Sequence, residues 1–199
     1  MQVRQITYQE AKPFILNIHY ARRMPCVQYA YGLFENDVLI GVVTYGQPAS
    51  PWLCKGLAGE KNRKNVIELN RLVFLPNKNG SNHASYLISK SLKMLPKGLF
   101  VVSYADYGGW GHVGYVYQAT NFLYTGMTKR RTDIYSGNGK HARHHLGDNK
   151  QRQIRTEKYR YVYLTGKRKE QLKELKYPVL PYPKGGSRKY DVNNPEAII

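Results

Sequence analysis

Acidic residues are scarce in this chain. Its 199 residues include 13 Asp and Glu against 31 Lys and Arg, a formal net charge of +18. Cysteine is scarcer still. Cys26 and Cys54 are the only two; they fit no metal-ligand spacing and build no disulfide framework. Phenylalanine gives way to tyrosine, 5 copies against 18. No apolar run approaches the ~18 residues of a membrane span, and the N-terminus lacks the basic-then-apolar layout of a secretory leader. No internal repeat is present. These absences point to a soluble intracellular protein. The length fits one domain, and a hydrophobic fraction of 42% is enough for a core.

What is present in excess is positive charge and tyrosine. A chain this basic repels itself and attracts polyanions, of which nucleic acid is the commonest. A membrane surface would call for a basic amphipathic helix with an apolar face, and none stands out. Tyrosine packs like an aromatic and keeps a polar end, which suits wet interfaces, base stacking and polar pockets alike.

The hydrophobic pattern gives a first helix through Phe14–Ile18, with Pro13 near its start. The basic turn Arg22, Arg23, Met24, Pro25 follows. Strands are expected at 28–34 and 38–45 around a Glu35-Asn36-Asp37 turn, and a Gly/Pro/Lys/Asn-rich loop over 46–65. Residues 66–75 read as a central strand ended by Pro76. A polar turn over 77–82 leads into a helix over 84–95, with Leu87, Ile88, Leu92 and Leu95 on one face. The unbroken apolar run at 99–104 reads as a strand buried on both faces. A helix over 112–122, a strand at 159–164, a short charged helix over 167–176 and an extended, docked Pro-rich tail from Tyr177 complete the reading. The segment 103–124 concentrates the chemistry, placing Asp106, His112 and several tyrosines where a buried strand hands over to a helix.

Strand, polar Gly-containing turn, helix, strand, helix over 66–122 resembles the core of the GNAT acyltransferase fold. The resemblance implies a mixed α/β sheet with helices on both faces, its core over 1–128, completed by a basic extension over 129–199. It also implies an anion-binding turn at a helix N-terminus, where free N–H groups and the helix dipole favour negative charge. Asn77 and Gly80 keep the family spacing and Ser81 belongs to the turn, but Asn82 replaces the final small residue, which weakens the case for coenzyme A. An ordinary helix cap at Ser81 or Asn82 is the alternative. Tyr117 stands where the family carries a general acid, although Asn121 replaces the usual glycine before Phe122. Glu68 matches a common general-base position. A carboxylate in an apolar strand is either functional or paired, here with Arg71.

A more specific set runs in order along most of the chain. It comprises His19-Tyr20 with Arg22–Pro25, Glu68-Leu69-Asn70-Arg71-Leu72, Ser103-Tyr104-Ala105-Asp106, Tyr117-Gln118-Ala119 with Asn121-Phe122, and Pro181–Lys184. This set resembles Mom-type phage DNA modification proteins. The resemblance implies transfer of a carbamoylmethyl group to the exocyclic amine of adenine in phage DNA, inside the infected host bacterium, protecting that DNA from restriction enzymes. It implies a reaction centre of Asp106, Tyr117, Glu68, Ser103, Arg71 and Asn70. His19, Tyr20, Asp106 and Tyr117 are then either ligands of a transition metal such as iron or members of a metal-free polar network. The group donor stays open. Double-stranded DNA is the expected partner, held by Arg22, Arg23, Lys129, Arg130, Arg131, Lys140, Arg143, His144, Lys150, Arg152 and Arg155. His141, His144 and His145, flanked by Lys140 and Arg143, fit a phosphate-binding loop better than a metal site. Flipping the base from the stack is one way to reach the amine. Two rival functions remain open: a coenzyme A-dependent N-acyltransferase acting on protein or tRNA, and a non-catalytic nucleic-acid-binding protein on the same scaffold.

Overall fold

The computed structural model describes residues 1–78, 80, 82–134 and 151–185. A seven-stranded mixed sheet organises them, in the order β1-β2-β3-β4-β5-β9-β6. Its strands are β1 (Gln2–Gln5), β2 (Tyr29–Glu35), β3 (Val38–Gly46), β4 (Val66–Phe74), β5 (Phe100–Ala105), β6 (Leu123–Met127) and β9 (Tyr159–Leu164). A separate two-stranded ribbon pairs β7 (Arg131–Ile134) with β8 (Arg152–Arg155). Helices cover both faces, as the alternation of buried residues dictates. Val43, Tyr45, Ile67, Leu69 and Val101 pack under α3 (His83–Met94) through Leu87, Ile88 and Leu92. On the opposite face Val66, Phe100 and Val102 pack with Cys54, Leu57 and Ala58 of α2 (Pro51–Asn62).

The feature that creates a site is the one parallel pairing. β4 and β5 pair only from Val66–Phe100 to Glu68–Val102. Beyond Glu68 the two strands part. Close to the same point, β4 carries a bulge against β3: Tyr45 faces Leu69 and Thr44 faces Arg71, leaving Asn70 as the extra residue. Asn70 is held there on both sides. Thr44 donates to its Oδ1 at 2.6 Å, and its Nδ2 donates to the Cys26 carbonyl at 2.8 Å.

Several sequence expectations need correction. The expected loop over 46–65 contains α2. Its buried Cys54, Leu57 and Ala58 follow i, i+3, i+4 spacing, a stripe hidden by Gly56 and by Gly59, where the backbone breaks at φ 76°. The first helix starts earlier than the apolar run. α1 (Tyr8–Pro13) opens on a reciprocal Thr7/Glu10 capping box, so Pro13 ends it rather than starts it, and Phe14–Ile18 continue as a π-helical turn. The expected helix over 112–122 is two short pieces, α4 (Tyr107–Trp110) and α5 (Tyr115–Ala119). Gly114, at φ 86°, interrupts them. Asn121, where the acyltransferase pattern has glycine, adopts φ 61°, and Phe122 N–H closes back on the Tyr117 carbonyl at 3.0 Å. It is a left-handed helix stop that Asn tolerates almost as well as Gly. The charged helix forms as α6 (Arg168–Glu174). The tail docks as expected: Leu180 N–H donates to Tyr124 O at 2.9 Å, and the Tyr182 hydroxyl donates to Phe122 O at 2.7 Å.

Candidate active site

The parting of β4 and β5 leaves a gap that side chains must fill. Ser103, one residue past the last paired position on β5, bridges it by donating to the Leu69 carbonyl at 3.0 Å. Glu68 stands at the last paired position of β4. Among the described residues no cation lies within salt-bridge distance of it, so the expected pairing with Arg71 is not a direct contact. Burial raises its carboxyl to about 7, against the weaker opposing pull of Arg71 and Lys158. A carboxylate titrating there is matched to proton transfer at neutral pH.

Arg71, past the bulge, turns back toward the N-terminal segment. Its NH1 donates to Asn70 O at 2.6 Å and its NH2 to Arg23 O at 3.0 Å. Its Nε is buried without a hydrogen-bond partner. That orphan donor is costly, and a substrate oxygen would satisfy it.

Asp106 follows the end of β5 and caps α4 through the Gly109 N–H at 3.2 Å. Its other partners come from the stretch before β9. Thr156 donates to Oδ1 at 3.0 Å and Lys158 to Oδ2 at 2.8 Å. Neither partner carried a signal in the sequence, because both lie some fifty positions away in a segment read only as basic. Two glycines of this turn, Gly108 and Gly109, permit that packing. A Cβ on Gly108 would lie 2.8 Å from the Glu157 carboxyl carbon and 2.9 Å from Thr156 Cβ, and one on Gly109 would lie 3.0 Å from Asp106 itself.

Tyr117 projects from α5 between Phe122 and Tyr161, with ring centroids 5.4 and 5.3 Å away. Burial pushes its hydroxyl up to about 12, and a hydrogen bond with Ser103 pulls the other way. Glu68 and Tyr20 are also close enough to act on its charge. His19 is buried, and burial followed by Arg71 pushes its imidazole down to about 3, so it stays neutral. Its Nδ1 accepts from the Ala21 N–H at 3.0 Å, which puts the ring proton on Nε2. Tyr20 stacks against His19 at 4.3 Å. Desolvation raises its hydroxyl, with Asp106 next and Glu68 adding to the effect. His19, Tyr20, Glu68, Arg71, Ser103, Asp106 and Tyr117, far apart in sequence, therefore share one polar cleft at the parted strands.

Of the expected metal ligands, His19 and Asp106 are held by hydrogen bonds within the protein. His19 shows a protonated Nε2, and Asp106 is engaged by Lys158, Thr156 and Gly109. A metal held by His19, Tyr20, Asp106 and Tyr117 requires that network to rearrange. At the expected anion turn, Asn77 and Asn82 adopt left-handed φ of 61° and 70°. His83 Nδ1 lies 3.1 Å from the Gly80 amide nitrogen and 2.9 Å from the Lys78 carbonyl. An anion seated on that amide displaces His83.

The basic residues lie around this centre. Arg22 is exposed at φ 40°, and Arg23 is half-buried. Lys129, Arg130, Arg131 and Arg152 are exposed, while Arg155 pairs with Asp133 at 3.3 Å. Ser81, Lys140, Arg143, His144 and Lys150, with His141 and His145, lie outside the described residues.

In a mixed α/β sheet, an acid, a near-neutral carboxyl, tyrosines and an arginine gather where two parallel strands part, the residue types of an acid–base site. Residues 1–184 match the Mom protein family, and the chain belongs to it. It is 28% identical over 203 residues to the methylcarbamoylase mom of Escherichia phage Mu, covering 92% of this chain and 84% of that protein. Among solved structures, an N-acetyltransferase from Staphylococcus aureus Mu50 is similar at 14% identity and a TM-score of 0.49, covering 82% of this chain and 98% of that one. The polyamine N-acetyltransferase of Drosophila melanogaster is similar at 13% identity and a TM-score of 0.47, covering 82% and 99%.

Proposed function

We propose that this protein transfers a carbamoylmethyl group to the exocyclic amine of adenine in phage DNA, within the infected bacterium, and so shields that DNA from restriction. Family membership and the name of the phage Mu relative support the type of group. The net charge of +18 supports a polyanionic substrate. The observation that carries the reading is the pairing of Glu68, raised to about 7, with Tyr117, raised to about 12, in one cleft. A carboxyl raised toward neutrality is suited to take a proton, and a tyrosine kept protonated is suited to give one, so the two divide the roles of base and acid.

In this scheme the adenine amine nitrogen forms a bond to the methylene of the donor, and the bond from that methylene to its leaving group breaks. The leaving group departs with the electron pair. Glu68 takes the proton from the amine and Tyr117 supplies one to the leaving group, so the proton count is unchanged. The buried Nε of Arg71 donates to the carbonyl of the transferred group and so orients its methylene toward the amine. Ser103 has one proton to share between Leu69 O and the Tyr117 oxygen, and it supports the tyrosine as negative charge develops there. Neutral His19 contributes its Nε2–H as a further donor. Asp106 orders the α4 turn and holds Lys158 at the rim.

The test is restriction challenge. DNA from bacteria expressing the wild-type protein should resist an endonuclease with adenine in its site, and DNA from cells expressing Glu68→Gln should be cut. Equal cutting of both, with both proteins folded, rejects the reading. Elemental analysis of anaerobically purified protein, alone and as Lys158→Met, measures whether a transition metal enters once Asp106 is released.

A further inference from the structure

The ribbon of β7 and β8 belongs to no part of the main sheet. Its register pairs Arg131 with Arg155, Thr132 with Ile154, Asp133 with Gln153 and Ile134 with Arg152. Strand alternation therefore puts Thr132, Ile134, Arg152 and Ile154 on one face, and Arg131, Asp133, Gln153 and Arg155 on the other. Apart from exposed Arg131 the second face is half-buried, and its acid is neutralised by Arg155. The first face is exposed throughout, with Ile134 at 38% and Ile154 at 57%. Two isoleucines facing water on a two-stranded ribbon gain nothing from folding alone, since such ribbons are marginal without a partner. Exposed Lys129, Arg130 and Arg131 lead into the ribbon.

We infer that this face enters the major groove of duplex DNA beside the target adenine and reads its neighbours. The inference rests on the DNA reading proposed above. A two-stranded ribbon fits the major groove, and that groove displays both the adenine exocyclic amine and the thymine methyl. Isoleucine suits the methyl. Arg152 suits the paired acceptors on guanine, and the flanking cations suit phosphates. Placement supports the same partner. Arg155 ends β8, the next residue, Thr156, donates to Asp106, and Lys158 donates to the same carboxylate. Arg23, whose carbonyl receives Arg71, is close enough to Arg155 to be affected by its charge. The ribbon thus starts at the rim of the reaction cleft, within a few base pairs of any base held there.

The experiment uses duplexes carrying one target adenine, with neighbouring thymines replaced in turn by uracil, which removes only the methyl. Binding and modification are measured for wild type, for Ile134→Ser/Ile154→Ser and for Arg152→Gln, with circular dichroism confirming that each is folded. Uracil at one or more neighbouring positions should weaken wild-type binding by roughly threefold to tenfold and leave the double serine variant unaffected. Arg152→Gln should broaden the set of sequences modified. The inference is overturned if wild type does not distinguish thymine from uracil. It is equally overturned if the serine variant distinguishes them as wild type does, or if Arg152→Gln leaves the modified set unchanged. In each case intact modification leaves the proposed function standing. Failure of wild type to bind or modify any duplex overturns both.

Discussion

Glu68 holds its proton more tightly in the folded protein, at about 7, than at its ordinary 4.5. The folded state therefore gains relative to the unfolded one when this carboxyl is protonated. That gain is fully present below pH 4.5 and is lost as pH rises through 7. Glu68→Gln is neutral at every pH and avoids the loss. It should melt higher than wild type at pH 8, with the difference shrinking toward pH 5, while modification falls by about a hundredfold or more. Melting curves across that range check the first half, and wild-type modification should rise through pH 7 as the base ionises. Asp106→Asn and Tyr117→Phe should each lower modification by at least about a hundredfold, roughly 2.7 kcal/mol of transition-state stabilisation. Under the proposed function their DNA affinity should change by less than about threefold, since neither side chain is a cation that could neutralise a phosphate. A DNA titration beside nucleoside analysis separates the two effects. A matched loss of affinity would assign these residues to DNA holding or to the fold.

At the level of elements, α5 matters because it carries Tyr117. Tyr161, fully buried beneath it, donates to Val113 O and accepts from Gln118 Nε2 at 3.1 Å. Gln118 also donates to Pro183 O at 3.2 Å, tying the docked tail to the same helix. Tyr161→Phe takes the donor from the buried Val113 carbonyl and one of two acceptors from Gln118 Nε2, and should cost about 1–3 kcal/mol, read as a lowered denaturant midpoint. It should also reduce modification by loosening α5. Elements with an apolar period or a Gly/Pro boundary were legible in the sequence: β4, α3, β5 and β9 fall close to where the pattern puts them. α2 was hidden because its stripe is small residues, Cys54 and Ala58 around Leu57, among Gly and Lys. β1 and β6 are too short and too polar for alternation to mark. In the site, Glu68, Arg71 and Asp106 were legible as charges in or beside apolar strands. Lys158 and Thr156 were not, because their role comes from β9 inserting between β5 and β6, a long-range pairing that no local pattern encodes.

For the whole molecule, positive charge outweighs every other feature. With 31 cations and 13 acids, DNA affinity should fall steeply between low and physiological salt as counterions are released, and neutralising Lys129, Arg130 and Arg131 should weaken all sequences about equally. Among the described residues no helix is long and apolar enough to cross a membrane. Salt dependence alone does not separate an enzyme from a binding protein. The direct test is mass spectrometry of nucleosides from DNA of bacteria expressing the wild-type chain, Glu68→Gln or Tyr117→Phe. The account predicts an adenine nucleoside bearing a carbamoylmethyl group with the wild-type protein and a near-complete loss of it with either variant. Unmodified adenine throughout, with folded and DNA-bound wild-type protein, would contradict it.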